Sequence, residues 1–161
     1  MFNFKKDNYF FILFILSFLI LMAAYVIQYM LGYQPCNLCI IERIPYALAI
    51  IILILNYNFK RNQVFYSILL VLIFLFSFLI SLYHYGIEQN LIEESTVCAS
   101  KNLDLITKKD ILESLQDLNI SCKDVTFKIL GLSLTTYNIG ISLFMLFIST
   151  KIYIISNDYK K

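Results

Sequence analysis

The amino-acid sequence predicts an all-α fold, an integral membrane four-helix bundle with two extracytoplasmic loops, the longer one carrying a short amphipathic helix. Of the 161 residues, 60% are hydrophobic and only 15% are charged, whereas a soluble domain has about a quarter charged residues. The apolar residues are gathered in four long stretches, and one long polar stretch separates the third from the fourth. A single membrane domain, residues 1–161, is expected, because no length remains for a separate soluble module.

The four apolar stretches are the predicted membrane spans. They cover residues 9–31, 44–59, 64–85 and 132–150. A spanning helix takes about 20 residues, so the second stretch is short and its helix is expected to begin upstream of Ile44. Helices buried in a soluble core would carry polar faces that these stretches lack. A cleaved signal peptide is disfavoured, because the first apolar run is too long and no small-residue cleavage site follows it.

Basic residues near the ends of the spans predict the orientation. The clusters on one side of the four spans are Lys5, Lys6, Lys60, Arg61, Lys151, Lys160 and Lys161. The other side has the loops 32–43 and 86–131, and the longer loop contains five lysines beside eight acidic residues. Because the compact clusters outweigh the dispersed lysines, we expect both termini in the cytoplasm and both loops outside.

The long loop contains the predicted amphipathic helix. Apolar residues recur there near helical spacing at Leu105, Ile111, Leu112, Leu115 and Leu118. Thr107 and Asp110 have the spacing of a capping box at the start of a helix. Such a helix either lies in the membrane interface or packs against the loop itself.

All four cysteines fall on the predicted outer side. Cys36 and Cys39 form a Cys-x-x-Cys motif in the first loop, and Cys98 and Cys122 lie in the second. Because disulfides persist in oxidising compartments and thiols stay reduced in the cytosol, this distribution indicates disulfide chemistry outside the cytoplasm.

The Cys-x-x-Cys motif allows several interpretations. Structural zinc favours two closely spaced pairs, but the second pair is 24 residues apart and the only histidine stands at a helix end. Haem attachment needs a histidine directly after the motif, where Ile40 stands. A redox-active pair with a lowered thiol pKa and a purely structural pair of disulfides both remain open on these residues alone.

Arg43 favours the redox interpretation. It stands four residues after Cys39, so a helix would bring the two onto one face, and a positive charge stabilises a thiolate. Pro45 disfavours helical geometry at Ile44. A turn instead of a helix could therefore bring Arg43 close to Cys39. The competing interpretations of Arg43 are an interfacial arginine and a pair with Glu42.

His84 is the one ionisable group of weight within the third stretch, and it lies near the outer end of that stretch, at the membrane face of Arg43 and Cys39. It could serve only helix packing. Ionisable residues at membrane depth are energetically unfavourable, however, and mark functional sites by default. We therefore include His84 in the candidate site.

Three segments together carry a family resemblance. They are Pro-Cys-Asn-Leu-Cys-Ile-Ile-Glu-Arg at 35–43, Tyr-His-Tyr-Gly-Ile-Glu at 83–88, and Ser-Cys-Lys-Asp, Leu-Gly-Leu-Ser-Leu and Tyr-Asn within 121–138. In this order and over nearly the whole chain, they resemble the disulfide bond formation protein B (DsbB) family with its BdbC relatives. The sequence departs from many relatives at Phe127 and Lys128, where those carry Trp-Arg.

The resemblance implies a membrane thiol:quinone oxidoreductase of the bacterial inner membrane. Such a protein reoxidises a periplasmic DsbA-type thioredoxin-fold protein and passes the electrons to ubiquinone or menaquinone. The implied catalytic residues are Cys36, Cys39, Cys98 and Cys122, and the implied quinone-binding residues are Cys39, Arg43 and His84. Cys98 would form a mixed disulfide with the partner, and Cys122 would then attack Cys36. Cys39 would face the quinone beside Arg43.

Two other functions are compatible with these sequence features. A vitamin K epoxide reductase-like quinone oxidoreductase and a disulfide-braced membrane scaffold without redox turnover are the alternative functions. From the proximity of each pair, we expect Cys36–Cys39 and Cys98–Cys122 as the resting bonds. Nucleic acid and nucleotide partners are not expected, because the chain has no basic run and no glycine-rich phosphate loop.

Overall fold

The computed structural model describes residues 4–59, 62–93, 98, 121–123, 128–129 and 131–158. Within them the chain forms helices α1 (Phe4–Tyr29), α2 (Asn37–Ile41), α3 (Ile44–Asn58), α4 (Gln63–Glu88) and α5 (Leu134–Asp158), and strands β1 (Lys128–Ile129) and β2 (Leu132–Ser133). Four helical segments of the described chain are long and apolar enough to cross a membrane: Asn8–Tyr29, Asn37–Asn58, Gln63–Glu88 and Leu134–Asp158. The predicted all-α membrane fold with four spans is confirmed.

The bundle carries large apolar side chains on its outer surface and small polar ones at its centre. Phe11, Phe65 and Phe147 are 65%, 57% and 60% exposed. Ser77 of α4 and Ser142 of α5, by contrast, are fully buried, and their hydroxyls lie 3.0 Å apart in a hydrogen bond. Small residues allow helices to approach closely in a bilayer, where burial of apolar surface does not drive association. This distribution fits an apolar surrounding solvent.

The interior apolar cluster joins all four long helices. Its completely buried members are Leu13, Ala49, Leu70, Phe74, Met145 and Ile152. Helix α4 packs most extensively against α5, and α1 packs against both α3 and α5. Because successive spans run in opposite directions, the end of α1, the start of α2, the end of α4 and the start of α5 meet at the same end of the bundle.

The second span begins upstream of Ile44, as expected, but it is interrupted. Helix α2 ends at Ile41, a turn follows, and α3 starts at Ile44. The backbone N–H of Glu42 and of Arg43 still donate to carbonyls of α2, at 2.9 and 3.1 Å. Pro45 occupies the first turn of α3, where its missing N–H leaves no helical hydrogen bond unmade. The turn upstream of the proline therefore places two charged residues side by side within the span.

The other boundaries differ from the predicted spans by a few residues. Helix α1 ends before Gly32, whose φ of +74° suits a glycine after a helix. Before α5, strands β1 and β2 form an antiparallel hairpin around Gly131, at φ +81°, a feature that hydropathy does not reveal. Both α4 and α5 run past their predicted ends. The predicted loop helix over 105–118 lies outside the described residues.

Candidate functional site

All four cysteines lie in or beside one buried cluster at the shared end of the bundle. Cys36, Cys98 and Cys122 are buried with Leu38 and Ile87, and Cys39 packs against this cluster half-buried. The two pairs lie in separate loops, and Cys39 and Cys98 are 59 positions apart in the sequence. The tertiary structure thus brings the outer pair, Cys98 and Cys122, against the Cys-x-x-Cys motif.

The outer pair forms a disulfide. Cys98 and Cys122 are bonded, with their Cα atoms 5.3 Å apart. This spacing is within the usual range for disulfides. The predicted Cys98–Cys122 bond is confirmed.

The inner pair does not form its predicted disulfide, because Cys36 and Cys39 are both free thiols in the structure. Cys36 is the N-cap residue of α2, and its sulfur accepts a hydrogen bond from the backbone N–H of Cys39 at 3.2 Å. This arrangement satisfies a helix-terminal donor that would otherwise have no partner. The expected Cys36–Cys39 bond was wrong for this state, in which the outer pair is oxidised and the inner pair is reduced.

Cys36 is the sulfur whose ionised form is stabilised. A hydrogen bond from the Cys39 side chain, followed by the hydrogen bond and charge of His84 and by the Cys39 backbone N–H, lowers the pKa of Cys36 from 9.0 to about 5 against the opposing effect of burial. A thiolate is both the nucleophile and the better leaving group in disulfide exchange. The first cysteine of the motif is therefore activated in the reduced pair.

His84 connects the inner pair to a buried carboxylate. Its Nε2 atom lies 3.6 Å from Cys36 Sγ, and its Nδ1 atom lies 3.1 Å from Glu42 Oε1. Since an ionised carboxylate only accepts hydrogen bonds, Nδ1–H is the donor to Glu42 and Nε2 faces the sulfur. Both His84 and Glu42 are buried. The resulting Cys36–His84–Glu42 chain has the order of nucleophile, base and orienting acid found in many nucleophilic sites.

Glu42 is a site residue that the sequence-based prediction did not include. Its Oε2 accepts a hydrogen bond from Asn138 Nδ2 at 3.0 Å, and the same Nδ2 donates to Ser81 Oγ at 2.8 Å. Tyr46 in turn donates to Asn138 Oδ1. An acidic residue within a span is itself a signal of a site, but Glu42 stands just outside the apolar stretch identified by hydropathy. Only the upstream start of the helix reveals it as intramembrane.

A second carboxylate holds the hairpin and the start of α5 against α4. Glu88 accepts hydrogen bonds from the hydroxyls of Ser133 and Thr135 at 2.7 and 2.6 Å. Thr135 Oγ1 is also 3.3 Å from His84 Nδ1. Thr135 thus connects Glu88 to the imidazole ring of His84.

Arg43 is held against α1. Its guanidinium donates to Gln28 Oε1 and lies 5.3 Å from the centroid of the Tyr25 ring. Arg43 does not pair with Glu42, which was one of its alternative interpretations. The Glu42 carboxylate is instead hydrogen-bonded to His84 and Asn138. The turn at residues 42–43 directs the two neighbouring charges to different partners.

A cavity of about 250 Å³ adjoins the site. Its lining includes five of the six predicted site residues: Cys36, Cys39, Arg43, His84 and Cys122. Cys98 is joined to this wall through its bond to Cys122. The lining also includes five apolar residues of α1: Ile20, Leu21, Ala23, Ala24 and Ile27.

This cavity is large enough for a small ring-shaped ligand. An apolar cavity of about 150 Å³ accommodates benzene, so 250 Å³ has space for a substituted ring. A ligand site also needs a few polar groups that fix orientation, which Arg43 and His84 provide. The structure thus places the two thiols of the inner pair beside a mostly apolar cavity that is large enough for a ring.

The sequence is similar to known proteins over most of its length. Residues 6–152 match the family model described as disulfide bond formation protein DsbB. The chain is 31% identical over 150 residues to an uncharacterised protein of Rickettsia prowazekii (strain Madrid E), and the alignment covers 88% of this chain and 86% of the relative. The matched ranges contain both cysteine pairs, Arg43 and His84.

Proposed function

This chain belongs to the DsbB family of disulfide bond formation proteins, and from that membership we propose that it is a thiol:quinone oxidoreductase. It reoxidises a periplasmic DsbA-type thioredoxin-fold protein and transfers the electrons to ubiquinone or menaquinone. As a multi-pass membrane protein with a role in disulfide formation, it has access to a quinone dissolved in the bilayer. The bacterial inner membrane, with both termini cytoplasmic and both cysteine loops periplasmic, is the proposed location.

The observation that carries this proposal is the contact of two cysteine pairs in different redox states beside one cavity. Cys98 and Cys122 are bonded, whereas Cys36 and Cys39 are thiols that line the cavity. This is the arrangement expected after the outer pair has been oxidised by the inner pair. The inner pair then holds the two electrons at the membrane boundary.

The outer pair begins the exchange. A thiolate of the reduced partner attacks Cys98, which breaks the Cys98–Cys122 bond and forms a mixed disulfide. The second partner thiol displaces Cys98 and leaves with the partner's disulfide. The outer pair gains the two electrons and two protons that the partner loses. Cys98 lies in the long loop, before the predicted amphipathic segment, and is the proposed partner-facing sulfur.

The inner pair receives the electrons next. Starting from a Cys36–Cys39 disulfide, the Cys122 thiolate attacks Cys36, and Cys98 then resolves the Cys36–Cys122 bond. The outer disulfide is restored and Cys36 and Cys39 become thiols, which is the state of the structure. A low pKa at Cys36 favours its departure as a thiolate in that second step.

His84 and Glu42 handle the proton at Cys36. The Nε2 atom of His84, 3.6 Å from the sulfur, accepts the thiol proton, and Glu42 keeps the imidazole oriented through Nδ1. The Glu42 charge stabilises the imidazolium that results. This chain makes the Cys36 sulfur available as a thiolate in a buried site.

The cavity residues hold and orient the electron acceptor. A bound quinone supplies the two-electron, two-proton acceptor chemistry. Arg43 provides a fixed positive charge for a quinone oxygen, and Cys39 and His84 line the same wall. The apolar residues of α1 that line the cavity would hold the ring and exclude water from it.

The test uses the purified full-length protein in lipid nanodiscs with a reduced DsbA-type protein and a soluble ubiquinone or menaquinone analogue. We expect one quinol to form for each partner disulfide. Cys39→Ser should abolish quinol formation, whereas Ser67→Ala, a buried serine near the start of α4, serves as the matched control and should retain it. Absence of partner oxidation by the intact protein would favour the scaffold alternative.

A further inference from the structure

Three ligand atoms converge at the inner pair. The sulfurs of Cys36 and Cys39 and a ring nitrogen of His84 all lie within 4.8 Å of one another. From this geometry we propose that the reduced protein binds a zinc ion through Cys36, Cys39 and His84. Nothing in the electron-transfer role requires a metal, so this is a separate property of the same residues.

The distances match a tetrahedral zinc site. Zinc binds a thiolate at about 2.3 Å and an imidazole nitrogen at about 2.0–2.1 Å, so a tetrahedral angle separates the two ligand atoms by about 3.6 Å. The Sγ of Cys36 and the Nε2 of His84 are 3.6 Å apart. This pair of ligand atoms therefore already has the separation that a tetrahedral zinc ion requires.

The second coordination shell is already in place. A zinc-binding histidine commonly donates its other ring N–H to a carboxylate, which fixes the ring and raises its basicity. His84 Nδ1 makes this contact with Glu42 Oε1 at 3.1 Å, and Asn138 holds the other carboxylate oxygen at 3.0 Å. Glu42 and Asn138 thus orient His84 for a metal as well as for a proton.

Charge balance and the fourth position also favour the ion. Two thiolates and one Zn²⁺ sum to zero net charge, which suits a buried site better than two uncompensated thiolates. Binding releases the thiol protons to solvent. Three protein ligands leave one position of the tetrahedron open, and all three residues line the cavity, so water or another exogenous ligand completes the site.

Zinc would regulate the exchange, and this consequence rests on the proposed function. Only the dithiol supplies two thiolates, so zinc stabilises the reduced inner pair and not its disulfide. While zinc is bound, Cys36 is unavailable for electron transfer to the cavity. The protein would accumulate in the redox state of this structure until a chelator removed the metal.

The test measures metal binding without partner or quinone. The full-length Cys98→Ser/Cys122→Ser protein in nanodiscs, whose only cysteines are Cys36 and Cys39, is reduced with a phosphine and titrated with Co²⁺. We expect thiolate-to-cobalt charge-transfer absorption and intense d–d bands of a tetrahedral site, both removed by Zn²⁺. Oxidation of the pair to the disulfide should abolish them.

Three variants test whether His84 is the third protein ligand. Glu42→Gln should weaken zinc affinity about 10- to 100-fold, as expected for a partner of a metal-bound histidine. His84→Ala should remove the tetrahedral d–d bands, whereas Asn58→Ala, at the other end of α3, should leave affinity unchanged.

Weak octahedral spectra, or tetrahedral spectra unchanged in His84→Ala, would overturn the proposal. Because the titration contains neither partner nor quinone, its outcome is independent of the proposed oxidoreductase activity.

Discussion

Replacing Glu42 by glutamine tests the central contact of the site. Glu42 uses both carboxylate oxygens, one for His84 Nδ1 at 3.1 Å and one for Asn138 Nδ2 at 3.0 Å. A glutamine of the same shape has one acceptor oxygen and no charge. It can therefore satisfy only one of the two partners, and the imidazolium of His84 loses its counter-charge.

The size of the effect follows from the burial of this pair. A hydrogen bond to a charged group contributes about 1.5–3 kcal/mol, and the side chains of His84 and Glu42 are only 2% and 9% exposed, so solvent replaces little of it. If this energy is lost only in the transition state, the rate of the step falls by about 10- to 150-fold. We expect this loss in quinone reduction by the pre-reduced Cys36–Cys39 pair, and no change in the attack of the partner on Cys98.

Stopped-flow quinone reduction and single-turnover formation of the Cys98 mixed disulfide measure the two steps separately. Glu88→Gln is the matched control, since Glu88 is a carboxylate at the end of α4 that bonds Ser133 and Thr135. Its effect on quinone reduction should be smaller than that of Glu42→Gln. An equal loss in both assays would show a folding defect, and unchanged rates in both would refute the role assigned to Glu42.

Four further predictions concern the partner, the acceptor, the thiolate and the membrane. Arg43→Ala should slow quinone reduction by about one to two decades with partner exchange unaffected, and Arg43→Lys should recover part of the rate because a point charge remains; unchanged quinone kinetics would leave Arg43 as an interfacial anchor. In Cys122→Ser, the lone Cys98 thiol should attack the disulfide of the oxidised thioredoxin-fold partner, which releases one partner thiol and leaves a mixed disulfide that Cys122 can no longer resolve; peptide mapping of the adduct to Cys36 would reverse the proposed order. Since the pKa of Cys36 is lowered to about 5, its ultraviolet thiolate absorbance in chelated buffer, with Cys36→Ser as the blank, should persist at pH 7 and disappear as the pH falls through 5; a transition near pH 9 would contradict it. A reporter fused after Lys161 should give a cytoplasmic signal, and a periplasmic signal would invert the topology.

The membrane location of this protein and its family could be predicted from local sequence features. The four apolar stretches are long enough to cross a bilayer. Within the bilayer, backbone N–H and C=O groups have no water to bond, so each stretch forms a helix that pairs these groups internally. The placement of every cysteine between those stretches, and the motifs around Cys36, His84 and Cys122, identified the family. These features are local, so composition and spacing are sufficient to recognise them.

The helix boundaries could be predicted from the sequence less accurately than the number of spans. The start of the second span at Asn37 depends on how Pro45 is accommodated, and hydropathy detects only the apolar part of the helix. The helix was expected to begin upstream of Ile44, but its first residue was not fixed, so Glu42 was not included in the predicted span or in the predicted site. The state of the inner pair was likewise open, since a Cys-x-x-Cys motif is compatible with a bond or with two thiols.

The hydrogen bonds among the polar site residues follow from helix packing and could not be predicted from the sequence. Glu42 and His84 are 42 positions apart in the chain, and Glu42 and Asn138 are 96 apart. Their contacts depend on the rotation and depth of α3, α4 and α5, which are fixed by packing around residues such as Phe74 and Met145. Because a rotation of any helix would move these side chains onto another face, no local pattern in the sequence encodes the Cys36–His84–Glu42 chain.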